Sequence, residues 1–157
     1  MAAFRIERRL GIPAPIEVVW EVLSDLKTWS AWNPIYPEVK GVLRIAERLQ
    51  VTEALPDLEP VAITPTVVDW VPDAQILWRL SEGRGFVKRL RYMELEKLSD
   101  HGCIFSNGED WSGGLTRWVG ADRRRASRQG FAAMGQALSD QAVALWRERG
   151  GAPTSAT

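Results

Sequence analysis

The 157 residues contain one cysteine, Cys103, and one histidine, His101. A lone cysteine closes no intramolecular bridge, which excludes the disulfide framework of a small secreted domain and makes a reducing cytoplasm the expected compartment. Triad and Cys/His chemistries need a histidine beside a nucleophile, and zinc sites usually need several His or Cys ligands. The histidine present lies in Asp100-His101-Gly102, a turn signature, so no metal and no catalytic histidine are expected. Charge of either sign is not in excess: 20 Lys and Arg balance 20 Asp and Glu, with a pI near 6.6. That balance gives no broad attraction for nucleic acid or an anionic lipid surface. Apolar runs are far shorter than the roughly 20 residues of a membrane span, and the opening MAAFRIERRLGI lacks a signal-peptide core. The expectation is a soluble, untargeted protein with no integral membrane segment.

What is present is a chain 45% hydrophobic and 25% charged, with eight tryptophans. At this length one core buries roughly 68–70% of the unfolded surface, so residues 1–150 read as one domain and 151–157 as a polar, disordered tail. Tryptophan combines a large apolar surface with one N–H donor, and this abundance fits either a core or a ligand chamber.

Phe4 to Ile12 alternates with a period of two and reads as a strand. Pro15 suits the first position of a helix carrying Ile16, Val19, Trp20, Leu23 and Leu26 at helical spacing. Trp29, Trp32 and Tyr36 surround Asn33-Pro34 in a short helical turn and loop. Strand-like runs follow over Gly41 to Ile45, Arg48 to Leu55, Val61 to Val71 and Gln75 to Ser81. Val87 to Leu98 and Cys103 to Ser112 then form a hairpin. Gly83-Arg84-Gly85 lacks the setting of a dinucleotide loop and reads as a turn. Asp122 caps a long helix with the stripe Phe131, Met134, Leu138, Ala142 and Leu145, stopped by Gly150-Gly151. This order predicts an α+β fold whose antiparallel sheet curls around the last helix.

The segment from Ile12 to Gly41 carries Ala14-Pro15, Val19-Trp20, Asp25-Leu26, Trp32-Asn33-Pro34 and Gly41. It resembles the opening of the START-like (SRPBCC) superfamily, in particular its polyketide cyclase/dehydrase and lipid-transport branch. Leu77-Trp78, Met93-Glu94-Leu95-Glu96, Glu109-Asp110-Trp111-Ser112-Gly113, Gly130-Phe131 and Ala137-Leu138 extend the likeness almost to the tail. The resemblance implies a helix-grip fold: a curved sheet of about seven antiparallel strands around a long C-terminal helix, with two short helices after the first strand. It also implies an apolar cavity for a hydrophobic ligand. The family often has a histidine two residues before the position of Met93; here that residue is Arg91, so catalysis by such a histidine does not carry over.

On the inward hairpin face, a three-residue loop at Ser99–His101 sets Leu95 opposite Phe105, Met93 opposite Asn107 and Arg91 opposite Glu109. Arg91 and Glu109 are then expected to pair across the strands, either satisfying each other or serving a ligand, with Glu109 as acid or base. Asn107, Trp78, Trp111, Trp32, Asn33, Met134 and Leu138 complete the candidate lining, with Trp70 added if the Pro72 turn also has a three-residue loop. Arg123, Arg124, Arg125 and Arg128 read as a solvated helix face, with a site for an anionic partner or ligand headgroup as the alternative, and Cys103 as an inert strand residue.

Three functions fit these residues. The first is a cofactor-free binder of a hydrophobic or aromatic small molecule, lipid or polyketide-like, acting as a monomer or homodimer. The second is a cyclase or dehydratase using Glu109 with Arg91 or Asn107. The third is a protein-interaction or chaperone-associated module, which a large exposed apolar patch with a collapsed cavity would favour.

Overall fold

A computed structural model describes residues 4–151; 152–157, where the disordered tail is expected, lie outside the described residues. The chain runs β1 (Phe4–Ile12), α1 (Ile16–Ser24), a 3-10 turn at Leu26–Thr28, α2 (Trp29–Trp32), β2 (Glu38–Lys40), β3 (Gln50–Glu53) and β4 (Val61–Ile63). It continues through β5 (Thr66–Val71), β6 (Gln75–Glu82), β7 (Val87–Ser99), β8 (Gly102–Ser112) and α3 (Ala121–Glu148). The sheet curves around α3, which is the helix-grip fold the resemblance implies.

The strands divide into a five-stranded sheet, ordered β1-β8-β7-β6-β5, and a three-stranded sheet, β2-β3-β4. Val61 to Val71 therefore does not form one strand. It breaks at Thr64-Pro65, where proline has no N–H to give a ladder, and the Pro65 carbonyl accepts instead from the Leu49 N–H at 2.9 Å. Gly41 to Ile45 is not a strand either: Gly41 and Ala46 have positive φ (129° and 72°), and the alternation between them finds no partner strand.

Helix ends differ from expectation by small shifts. Pro15 is the N-cap, with ψ 143°, rather than the first helical residue; its carbonyl accepts from Val18 and Val19. Gly120 caps α3 through its backbone, and Asp122, placed in the first turn, pairs with Arg125 at 2.6 Å. At the other end Gly150 takes φ 81°, and the Gly151 N–H closes onto the Trp146 carbonyl at 2.9 Å, a Schellman stop. The helix buries Phe131, Met134, Leu138 and Ala142 as the stripe predicts, with Trp146 buried in place of Leu145.

The β5–β6 turn has the three-residue loop Pro72-Asp73-Ala74, and Val71 faces Gln75. The β7–β8 turn is tighter than expected. Ser99 pairs with Gly102 and Leu98 forms a bulge, so the loop is Asp100-His101. One residue lost from the loop and one gained in the bulge leave the register of the hairpin body unchanged.

Candidate functional site

Alternation in β7 and β8 aims Arg89, Arg91, Met93 and Leu95, and Cys103, Phe105, Asn107, Glu109 and Trp111, toward α3; all nine are buried. Leu95 faces Phe105, Met93 faces Asn107 and Arg91 faces Glu109, the register the sequence predicts. The ion pair expected from that register does not form. The Arg91 side chain turns along its own strand: Nε donates to the Tyr36 hydroxyl at 2.8 Å, and Nη1 donates to the carbonyls of Tyr92 at 2.8 Å and Gly108 at 3.0 Å. Its guanidinium lies 4.2 Å from the Phe131 ring centre, with Nη2 3.6 Å from Met134 Sδ. These partners satisfy the cation without a carboxylate.

Glu109 is met by Arg89 instead, Nη1 to Oε2 at 3.2 Å. The same guanidinium reaches Glu53 of β3 at 3.2 Å and Glu82 of β6 at 2.9 Å, and Arg123 of α3 closes on Glu53 at 3.2 Å. The cluster thus draws on both sheets and the helix. Burial pushes the Glu109 carboxyl above its ordinary range; Arg89 opposes that shift and Glu53 adds to it. Burial acts against the Arg89 cation, but Glu109, Glu53 and Glu82 more than offset it, so Arg89 stays charged. Trp111 lies between Arg89 and Arg123, each 5.2 Å from its ring centre, and stacks on Phe4 at 5.3 Å.

Next to this polar end the interior is filled by aromatic side chains. Trp29, Tyr36 and Trp78 pack with ring centres 5.5 to 5.7 Å apart. Burial raises the Tyr36 hydroxyl to about 12, against the pull of Arg91, so it remains a neutral phenol. Asn107 Nδ2 donates to the Phe131 carbonyl at 3.0 Å. Several buried polar atoms nonetheless have no partner among the described residues: Glu109 Oε1, Asn107 Oδ1, the indole N–H groups of Trp78 and Trp111, Arg89 Nε and the Ser127 hydroxyl.

Of the other candidates, Met93, Phe105, Met134 and Leu138 are buried in this interior. Trp70 is only partly buried and stacks on Trp20 at 6.4 Å. Trp32 packs edge-on to Trp29 and lines a groove of about 370 Å³ between the α1–α2 region and α3. Asn33 acts locally: its Oδ1 accepts from the Ile35 and Tyr36 N–H groups, both at 3.1 Å, which holds Tyr36 in place for Arg91. Cys103 is buried, and that burial raises its thiol to about 11. The arginine group is not uniformly solvated. Arg123 joins the cluster and Arg124 lies 3.9 Å from the Phe4 ring centre, whereas Arg125 and Arg128 are exposed.

Arg89, Glu53 and Glu82 are not among the residues the sequence singles out, and Arg123 stands there only as part of a basic helix face. Arg89 has the same strand parity as Arg91 and was legible on that ground; Glu53 and Arg123 come from another sheet and from a helix, and no periodicity aligns them. Among the described residues, no group of three or more His, Cys, Asp or Glu is placed to hold a metal, and no helix is long and apolar enough to cross a membrane.

Solved structures share this fold at low identity. A START superfamily protein from Mycobacterium smegmatis is 18% identical, with a TM-score of 0.68 over 90% of this chain and 98% of that one. The Zhui aromatase/cyclase from Streptomyces sp. R1128 is 19% identical, with a TM-score of 0.66 over 95% and 99%. Norcoclaurine synthase from Thalictrum flavum, in complex with dopamine and hydroxybenzaldehyde, is 16% identical, with a TM-score of 0.70 over 90% and 87%. These likenesses establish the fold alone. No curated protein matches the chain in sequence. The family model for polyketide cyclase / dehydrase and lipid transport matches residues 3–144, nearly the whole described structure, and on that match the chain belongs to this family.

Proposed function

We propose that the protein binds a mainly apolar, aromatic-sized small molecule bearing a hydroxyl or carbonyl group, held between the sheet and α3 at the Trp111 end of the interior. The observation that supports this reading is the set of unpartnered polar atoms there. Glu109 Oε1, Asn107 Oδ1 and the Trp78 and Trp111 N–H groups lie on residues no more than 1% exposed. Each such group left unpaired costs about 1–3 kcal/mol, so a ligand hydroxyl that donates to Glu109 or Asn107, or a hydroxyl or carbonyl oxygen that accepts from an indole N–H, is strongly favoured. The aromatic packing around Trp29, Tyr36 and Trp78 supplies the apolar part.

A titration followed by tryptophan fluorescence tests it with two probes of equal shape, 2-naphthol and naphthalene. The hydroxyl should tighten binding about tenfold, the weight of one hydrogen bond to a charged group at about 1.5 kcal/mol, and Glu109→Leu should remove that advantage. Equal affinity for the two probes, or an advantage untouched by Glu109→Leu, contradicts the reading.

A second reading is favoured by Glu109 itself. A carboxyl raised by burial, with one oxygen free, suits proton transfer to or from a ligand, as in a cyclase or dehydratase. Glu109→Gln should then abolish turnover of a polyketide-like substrate while leaving its affinity nearly intact.

A further inference from the structure

Two loops close the end of the fold nearest the ionic cluster: 83–86 between β6 and β7, and 113–120 between β8 and α3. They reverse the usual placing of large apolar side chains. Trp118 is 72% exposed, Phe86 57% and Leu115 42%. The loops are joined. The Leu115 N–H donates to the Phe86 carbonyl at 3.1 Å, and the Trp118 N–H donates to the Leu115 carbonyl at 3.0 Å. Gly83, Arg84 and Gly85 all have positive φ, a tight turn that puts Phe86 at its foot. Single exposed apolar residues need no explanation, but three on adjoining, hydrogen-bonded loops form a patch.

The surroundings of the patch are cationic. Residues 83–88 and 113–128 carry exposed Arg84, Lys88, Arg117, Arg125 and Arg128. Asp122 is the sole acid in those segments, and Arg125 neutralises it. Arg117 lies over the Trp118 ring at 5.4 Å. The zero net charge of the chain, which by itself argues against an anionic surface, conceals this asymmetry. A few aromatic and aliphatic tips ringed by arginine and lysine suit the boundary of an anionic bilayer, where rings enter the headgroup layer and cations meet phosphates. A stable protein partner would need roughly 1,000 Å² or more of complementary surface, and side chains projecting from two loop tips favour the bilayer over such a partner.

We propose that this rim docks the protein on anionic phospholipid surfaces, with Trp118, Phe86 and Leu115 entering the headgroup layer and Arg84, Lys88 and Arg117 held at the phosphates. The docked end is the one beneath which Arg89, Glu109 and Trp111 lie, but docking goes beyond the interior-ligand reading and does not depend on it.

Vesicle co-sedimentation of the full chain tests the proposal, using phosphatidylcholine alone and phosphatidylcholine with phosphatidylglycerol. Binding is expected to the mixed vesicles at low salt and to weaken strongly at 1 M salt, where the screening length falls to about 3 Å. Lys88→Gln and Arg117→Gln should each weaken it roughly fivefold. Trp118→Ser with Phe86→Ser should abolish it, while far-ultraviolet circular dichroism and the denaturant midpoint stay nearly unchanged because both side chains are exposed. Phosphatidylglycerol with brominated acyl chains should quench fluorescence in the wild type but not in Trp118→Phe. No binding to either vesicle, binding unaffected by the Trp118 and Phe86 substitutions, or a patch-dependent dimer in sedimentation velocity would each overturn the proposal.

Discussion

Replacing Arg89 by methionine removes the one guanidinium that touches Glu109, Glu53 and Glu82 together. Methionine keeps much of the side-chain length and the contact with Trp111. Glu53 retains Arg123 at 3.2 Å and Glu82 is partly exposed, so the loss falls mainly on Glu109, which has no other cation within bonding distance among the described residues. Breaking a buried ion pair by removing one partner costs about 3–5 kcal/mol, and that is the destabilisation expected at pH 7. It should shrink toward pH 5, because a Glu109 deprived of Arg89 takes up a proton more readily. Adding Glu109→Leu removes the stranded carboxyl and should recover at least about 2 kcal/mol, since apolar replacement of a whole buried pair is often neutral or stabilising. Guanidinium unfolding followed by tryptophan fluorescence, with linear extrapolation, gives all three values. The same cycle on Arg91→Met with Glu109→Leu should show a much smaller coupling, because Arg91 is satisfied by Tyr36 and backbone carbonyls. A cost for Arg89→Met below about 1 kcal/mol, or a larger coupling for Arg91 than for Arg89, refutes the assignment.

Three further outcomes follow from the same geometry. Glu109 has a folded-state carboxyl raised above its ordinary value of 4.5, so the folded state holds its proton more tightly than the unfolded state. The stability tied to that proton is present below pH 4.5 and is lost as pH rises through the folded value; Glu109→Gln should flatten that fall in unfolding curves measured against pH. Asn33→Ala leaves the buried N–H groups of Ile35 and Tyr36 without their shared acceptor, and should cost about 1–3 kcal/mol in denaturant unfolding. The Cys103 thiol, raised to about 11 and buried, should react with a disulfide reagent only after denaturant is added; rapid labelling of the native protein would show that the start of β8 opens.

Much of the fold was legible because its determinants repeat along the chain. Alternation from Arg91 to Leu95 and from Phe105 to Trp111, with a turn at Asp100-His101-Gly102, fixes which residues face each other even though the turn itself is built differently. The stripe on α3 and the Gly150-Gly151 stop are of the same kind. The site was less legible. Facing Cα atoms do not say where a long side chain ends, so Arg91, opposite Glu109, runs to Tyr36 while Arg89 reaches Glu109 diagonally. Glu53 reaches the cluster only because the sheet divides near Pro65 and folds β3 over the interior, a tertiary event with no local signature. Trp32 reads as a lining residue from its place after α1 and Trp70 from the register of the Pro72 turn, yet one lines an outer groove and the other stacks on α1.

A ligand seated at the polar end of the interior, beside Glu109, should stay with the protein through gentle purification. Native mass spectrometry of the wild type and of Glu109→Leu, purified side by side and followed by solvent extraction, reads this out. The wild type should carry a stoichiometric adduct that yields an apolar molecule with a hydroxyl or carbonyl group, and Glu109→Leu little or none. An adduct retained equally by both proteins, or an extracted molecule with no polar group, would contradict that placement.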